Sequence, residues 1–149
     1  AMMAVGFTIP KKNILLTIGR LEDKVDMLGS IQALHDKGFS FFTTKRTHEF
    51  LESRNIPSAM LNKVSEPRSP NIREYLEKKR VDLVINIPTH SRGAEQTDGY
   101  FIRRIATDHG IPLITNVQLA KRIIEALIQE NPEELPIMEW PKLLTETTH

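Results

Sequence analysis

Five short apolar runs recur along the chain, and between them apolar residues fall three or four apart. The runs are NILLTI at 13–18, FSFFT at 39–43, AML at 59–61, DLVINI at 82–87 and IPLIT at 111–115. Each is too short for a helix and several are rich in β-branched or aromatic residues, so they read as strands. The near-continuous ones read as strands covered on both faces. The stretch 24–37 sets Val25, Leu28, Ile31 and Leu34 at three-residue steps with Met27 beside them, which predicts an amphipathic helix ended by Gly38. A short helix is predicted over 47–54, with Thr47 as its N-cap, Phe50 and Leu51 inward and Asn55 closing it. Residues 71–79 place Ile72, Tyr75 and Leu76 on one side. Residues 99–109, capped by Asp98 and ended by Gly110, turn Phe101, Ile102, Ile105 and Ala106 inward. The last helix, 117–130, buries Leu119, Ala120, Ile123, Ile124, Leu127 and Ile128, after which Pro132, Pro136 and Pro141 break regularity.

Strand and helix alternate five times. That order predicts a three-layer α/β sandwich: a parallel sheet with helices on both faces, joined by right-handed crossovers. Open sheets of this kind bind ligands at the carboxyl ends of their strands. The polar strand exits lie there: 17–24, 44–47, and 86–93, where Pro88 ends the fourth run because it has no ladder donor. Lys63 follows the third run. Hydroxyls, an amide, cations and helix N-termini on one edge suit a phosphate or a carboxylate.

The 149 residues fit one domain, and a net charge of +1 gives no bulk attraction to nucleic acid or an anionic membrane. No Cys is present, which removes disulfides, thiolate nucleophiles and Cys-bound zinc. No apolar run reaches the ~20 residues of a membrane helix, and AMMAVGF lacks the pattern of a signal peptide. Gly-rich phosphate loops and the G-x-S-x-G elbow are missing. His35, His48, His90, His109 and His149 have no metal-ligand spacing and read as solvated surface residues. Arg103 and Arg104 read as ion-pairing or domain-contact residues, and Trp140 as a packing anchor.

At the exit loops the chain becomes recognisable. GFTIPKKNILLTIG, HDKGFSFFTTKRT, NKVSEP, DLVINIPT, YFIRRIATDHGIPLITN and AKRIIEAL, in that order, resemble the C-terminal regulatory domain of the carbamoyl-phosphate synthase large subunit. That domain has the methylglyoxal-synthase-like fold, and the resemblance runs from about residue 1 to about residue 127. It implies one regulatory domain over 1–149, in which 1–10 is the junction from an upstream ATP-binding domain and 132–149 is an irregular tail. It also implies a sheet of order 3-2-1-4-5, with Thr17 and Asn86 facing each other at the switch point.

In bacterial members the pocket is similar to a nucleotide-monophosphate site for UMP and IMP. The matching phosphate positions here are Lys24, Thr44, Thr47 and Lys63. Asn86 and Thr89 fall on the base and ribose side, with Thr17 on the floor and Arg46 and Arg92 as additional candidates. The urea-cycle member that answers to N-acetylglutamate carries an aromatic residue where Lys63 stands, so lysine implies a phosphorylated effector. Three positions depart from relatives: Arg46 replaces a glycine, Pro88 a frequent hydroxyl, and Ile114 an acidic residue of ornithine-sensitive members.

The implied role is allosteric control of carbamoyl phosphate synthesis for pyrimidine and arginine biosynthesis, with no cofactor in this domain. The intact enzyme is expected to use ATP with Mg or Mn. Its partners would be the synthetase domains of the same subunit and a glutaminase small subunit, in the cytoplasm. A homo-oligomer is compatible with this reading; nucleic acid and membrane are not expected partners. The alternative is a methylglyoxal synthase-type lyase acting on dihydroxyacetone phosphate. That chemistry needs an acidic base in a G-G-D-Q segment, and the corresponding SEPRSPN offers only Glu66.

Overall fold

In a computed structural model, which describes residues 12–89 and 94–129, the first apolar run forms β1 (Asn13–Ile18) at the centre of the sheet. Then follow α1 (Leu21–Asp36), β2 (Ser40–Thr43), α2 (Lys45–Glu52), β3 (Ala59–Met60), α3 (Ile72–Glu77), β4 (Leu83–Ile87), α4 (Ala94–Asp108), β5 (Leu113–Ile114) and α5 (Val117–Ile128). The expected junction over 1–10 and tail over 132–149 lie outside the described residues, as do His90, Arg92, Trp140 and His149.

Among the described residues every strand pairing is parallel, as the alternation predicts, and the order is β3-β2-β1-β4-β5, as the resemblance implies. The chain leaves β1 toward β2 and β3, then crosses back to β4 on the other side of β1. The switch point therefore lies between the carboxyl ends of β1 and β4.

The period of two along the strands sorts their side chains onto two faces. Ile14, Leu16 and Ile18 join Phe41, Leu83, Ile85 and Ile87 against Met27, Ile31 and Leu34 of α1, Leu51 of α2 and the apolar stripe of α5. Leu15, Val84 and Leu113 face Ile72 and Leu76 of α3 and Ile102, Ile105 and Ala106 of α4. On this second face Thr17 and Asn86 occupy the next inward positions after Leu15 and Val84, so the packed layer turns polar at the carboxyl edge.

Several boundaries differ from the sequence reading. α1 starts at Leu21, three residues before Lys24, with Glu22 and Asp23 in a first turn where the helix dipole favours acids. Its buried stripe is Lys24, Met27, Ile31 and Leu34, while Val25 is 53% exposed. Val25 and Met27 are two residues apart, about 200° around a helix, so both cannot face the sheet. α2 starts at Lys45, because Lys and Arg extend a helix readily; Thr44 takes the N-cap position and Thr47 lies in the first turn. α4 likewise starts at Ala94, which places Asp98 inside the helix, where it is buried. Phe101 is 38% exposed and packs edge-on against Tyr100 instead of facing the core. Gly38 (φ 93°), Asn55 (φ 61°) and Gly110 (φ 69°) adopt left-handed conformations just past α1, α2 and α4, where the sequence predicts the helices to end.

Candidate functional site

At the switch point Thr17 and Asn86 are register partners on β1 and β4. Asn86 Nδ2 donates to Thr17 Oγ1 at 2.6 Å, with both residues buried. Arg103, from α4 above them, donates through Nη1 to Asn86 Oδ1 at 3.1 Å. The loops after β1 and β4 meet closely. Gly19 N–H donates to the Ile87 carbonyl at 2.9 Å, and a Cβ on Gly19 would lie 2.8 Å from Thr89 Cβ and from Thr89 N. Glycine is required at 19 by this approach. Thr89 itself is half-buried.

Lys24 sits in the first turns of α1, at the same edge, and is only 6% exposed. A buried lysine is uncommon unless its ammonium is well paired. Thr44 ends β2 and caps α2 by position, yet its side chain makes no capping hydrogen bond. Early N–H groups of α2 therefore lack a side-chain cap and face the carboxyl edge. Thr47 is buried, and its hydroxyl donates to the Ile18 carbonyl at a long 3.4 Å, tying α2 to the end of β1. Arg46 is exposed in the first turn of α2.

Lys63 is half-buried beyond β3. Its backbone is clamped: Lys63 N–H donates to Glu66 Oε1 at 2.9 Å, and Lys63 carbonyl accepts from Glu66 N–H at 3.0 Å and Asn71 Nδ2 at 2.7 Å. The carboxylate of Glu66 thus closes its own turn, which disfavours it as a free base. The same loop is tied to α4, since Asp98 accepts from Ser65 N–H at 3.2 Å and from Ser65 Oγ at 3.3 Å.

The topology thus brings Thr17, Lys24, Thr44, Thr47, Lys63, Asn86 and Thr89 to one edge, with Arg46 at its margin. Arg92 lies outside the described residues. Two residues escape a sequence reading. Arg103 reaches the site although its neighbour Arg104 faces outward, where bonding to the Tyr100 hydroxyl and the nearby Asp108 carboxylate raise its pKa. The signal in the sequence is Gly99, one turn before Arg103, where an added Cβ would lie 3.1 Å from Arg103 Nη1. Asp98 escapes because its helix starts early.

Two histidines are not simply solvated. His48 Nδ1 lies 2.7 Å from Ser58 Oγ, and His109 Nδ1 donates to the Ile105 carbonyl at 2.9 Å. Among the described residues no three His, Asp or Glu stand together as a metal site, and no helix is long and apolar enough to cross a membrane.

The chain is similar to the multifunctional protein pyr-3 of Neurospora crassa, 38% identical over 91% of this chain and 8% of the relative. The multifunctional protein URA2 of Saccharomyces cerevisiae is 37% identical over 85% of this chain and 6% of its own length. The human mitochondrial carbamoyl-phosphate synthase [ammonia] is 37% identical over 85% of this chain and 9% of its own. The chain thus spans less than a tenth of each of these relatives, and one relative's mitochondrial name means that kinship fixes no compartment. A family model described as the MGS-like domain matches residues 26–115, from within α1 to just past β5. With that match spanning more than half of its length and the sheet in the expected order, the chain belongs to the MGS-like domain family.

Proposed function

We propose that this domain senses a phosphorylated small molecule of the UMP or IMP class and tunes carbamoyl phosphate synthesis by a larger polypeptide that carries it. The observation that carries this reading is the pairing, at one sheet edge, of the buried cation Lys24 with the helix N-terminus at Thr44, whose hydroxyl makes no capping bond. Backbone N–H groups and the helix dipole favour an anion there. Lys63 extends the cationic side of the crevice, and Thr17 and Asn86 form its floor. The names of the relatives support the larger assembly, in which the partners would be synthetase domains of the same polypeptide and a glutaminase subunit. The nucleotide shifts the assembly between states only as far as its affinities for those states differ.

The test is calorimetry with UMP and IMP. A charge-assisted hydrogen bond is worth about 1.5–3 kcal/mol, so Lys63→Ala should weaken binding roughly ten- to a hundredfold. Stability should change by less than about 0.5 kcal/mol, since the ammonium is partly exposed. An unaltered binding constant removes Lys63 from the site. Absence of binding by every member of a panel of UMP, IMP, UTP, phosphoribosyl pyrophosphate and N-acetylglutamate removes the effector reading.

A further inference from the structure

The amide of Asn86 has two ways to pair with Thr17, because a hydroxyl donates or accepts equally well. With Nδ2 toward Thr17, the hydroxyl accepts; with Oδ1 toward it, the hydroxyl donates. Arg103 breaks the tie. A guanidinium has donors and no acceptor, so the amide oxygen must face it, as in the 3.1 Å contact from Nη1 to Oδ1. Nδ2 is then committed to Thr17 Oγ1 at 2.6 Å, and the Thr17 proton must point away from Asn86. That orientation turns the amide nitrogen, a donor, away from Arg103, and leaves the Thr17 hydroxyl with its hydrogen to give. On the side away from Arg103 the pair therefore offers donors.

Gly99 supplies a second observation. Glycine is unfavourable inside a helix, yet here it lies within α4. A Cβ at that position would stand 3.1 Å from Arg103 Nη1 and 3.7 Å from Asn86 Oδ1, so glycine clears the path along which the guanidinium reaches the amide.

We propose that Arg103 is a positioning residue that locks the Asn86 amide in one orientation, so that the crevice floor accepts a ligand bearing a carbonyl or carboxylate oxygen there and disfavours one bearing an amino group. This rests on the reading of the crevice as a ligand site. It assigns to Arg103 the choice between chemically similar ligands, apart from the phosphate end held by Lys24, Thr44 and Lys63.

UMP and CMP, which exchange a ring carbonyl for an amine, are the probes. Calorimetry with the full chain should show UMP binding about tenfold or more tighter than CMP. Arg103→Met should bring the two nucleotides within about threefold, and Gly99→Ala, whose Cβ crowds the guanidinium while keeping its charge, should narrow the preference in the same direction. Equal affinities in the unmodified chain overturn the proposal, as does a preference that survives Arg103→Met. If neither nucleotide binds, the effector reading fails, and the lock is decided on the free protein. Nitrogen-15 spectra, with the Asn86 side-chain signals assigned by Asn86→Asp, should show the amide proton bonded to Thr17 protected from solvent exchange. That protection should fall in Arg103→Met while the Asn71 side-chain amide, which donates to the Lys63 and Glu66 carbonyls, keeps its own. Unchanged Asn86 signals in Arg103→Met refute the lock whatever binds.

Discussion

Thr43 is fully buried on the sheet face packed against α1, α2 and α5, and its Oγ1 has no hydrogen-bond partner among the described residues. An unsatisfied buried hydroxyl costs about 1–3 kcal/mol, whereas an apolar group of the same shape costs nothing of the kind. Thr43→Val should therefore raise stability by about 1 kcal/mol, read as a higher denaturant midpoint at unchanged slope. A lower midpoint would mean that the hydroxyl is bonded in solution. Lys24 shows the converse. It occupies a core-facing position of α1, which an account restricted to apolar residues assigns to Val25. Thr17 and Asn86 were legible as an opposed pair only through the family resemblance, which supplied the order of the sheet; each is the polar position near the end of its apolar run. Arg103 was not, because its role depends on the space that Gly99 leaves, and that space exists only once α4 is docked.

At the scale of elements, two glycines separate backbone geometry from packing. Gly110 has φ 69° with nothing within 4 Å of a built Cβ, and Gly29, exposed inside α1, also has open space around it. Gly110→Ala should destabilise by about 1–2 kcal/mol through the left-handed conformation alone. Gly29→Ala should stabilise by roughly 0.5–1 kcal/mol, because alanine is the better helix former. Equal effects on the thermal midpoint would refute this division. The four buried strands and, apart from Val25 and Phe101, the inward faces of the helices could be read from periodicity, because alternation and amphipathic spacing report burial directly. Helix starts could not. α1, α2 and α4 begin two to five residues before the starts read from the sequence, at 21 instead of 24, 45 instead of 47 and 94 instead of 99. Strong helix formers such as Leu21, Lys45 and Ala94 carry each helix past its expected start. The edge strand β3 is only Ala59–Met60 and exposed, so little burial was available to define it.

For the whole molecule, a ligand that binds only the folded chain stabilises it by about 2.7 kcal/mol at 100 times its dissociation constant. In a domain of this size that should raise the thermal midpoint by roughly 10 °C, so a thermal-shift screen will rank effectors before calorimetry does. With dihydroxyacetone phosphate the chain should release no methylglyoxal, since Glu66 is engaged by the Lys63 backbone; turnover lost on Glu66→Gln would restore the lyase reading. The contact of Gly19 with Thr89 gives the crevice a mechanical character. At Gly19 the loops after β1 and β4 are in direct backbone contact, because Thr89 N stands 2.8 Å from where a Cβ would be. Gly19 also leads into the turn that starts α1, whose Asp26 pairs with Lys121 of α5. The crevice on the α4 side of the sheet and the α1–α5 face on the other side therefore share one point of backbone contact, at Gly19.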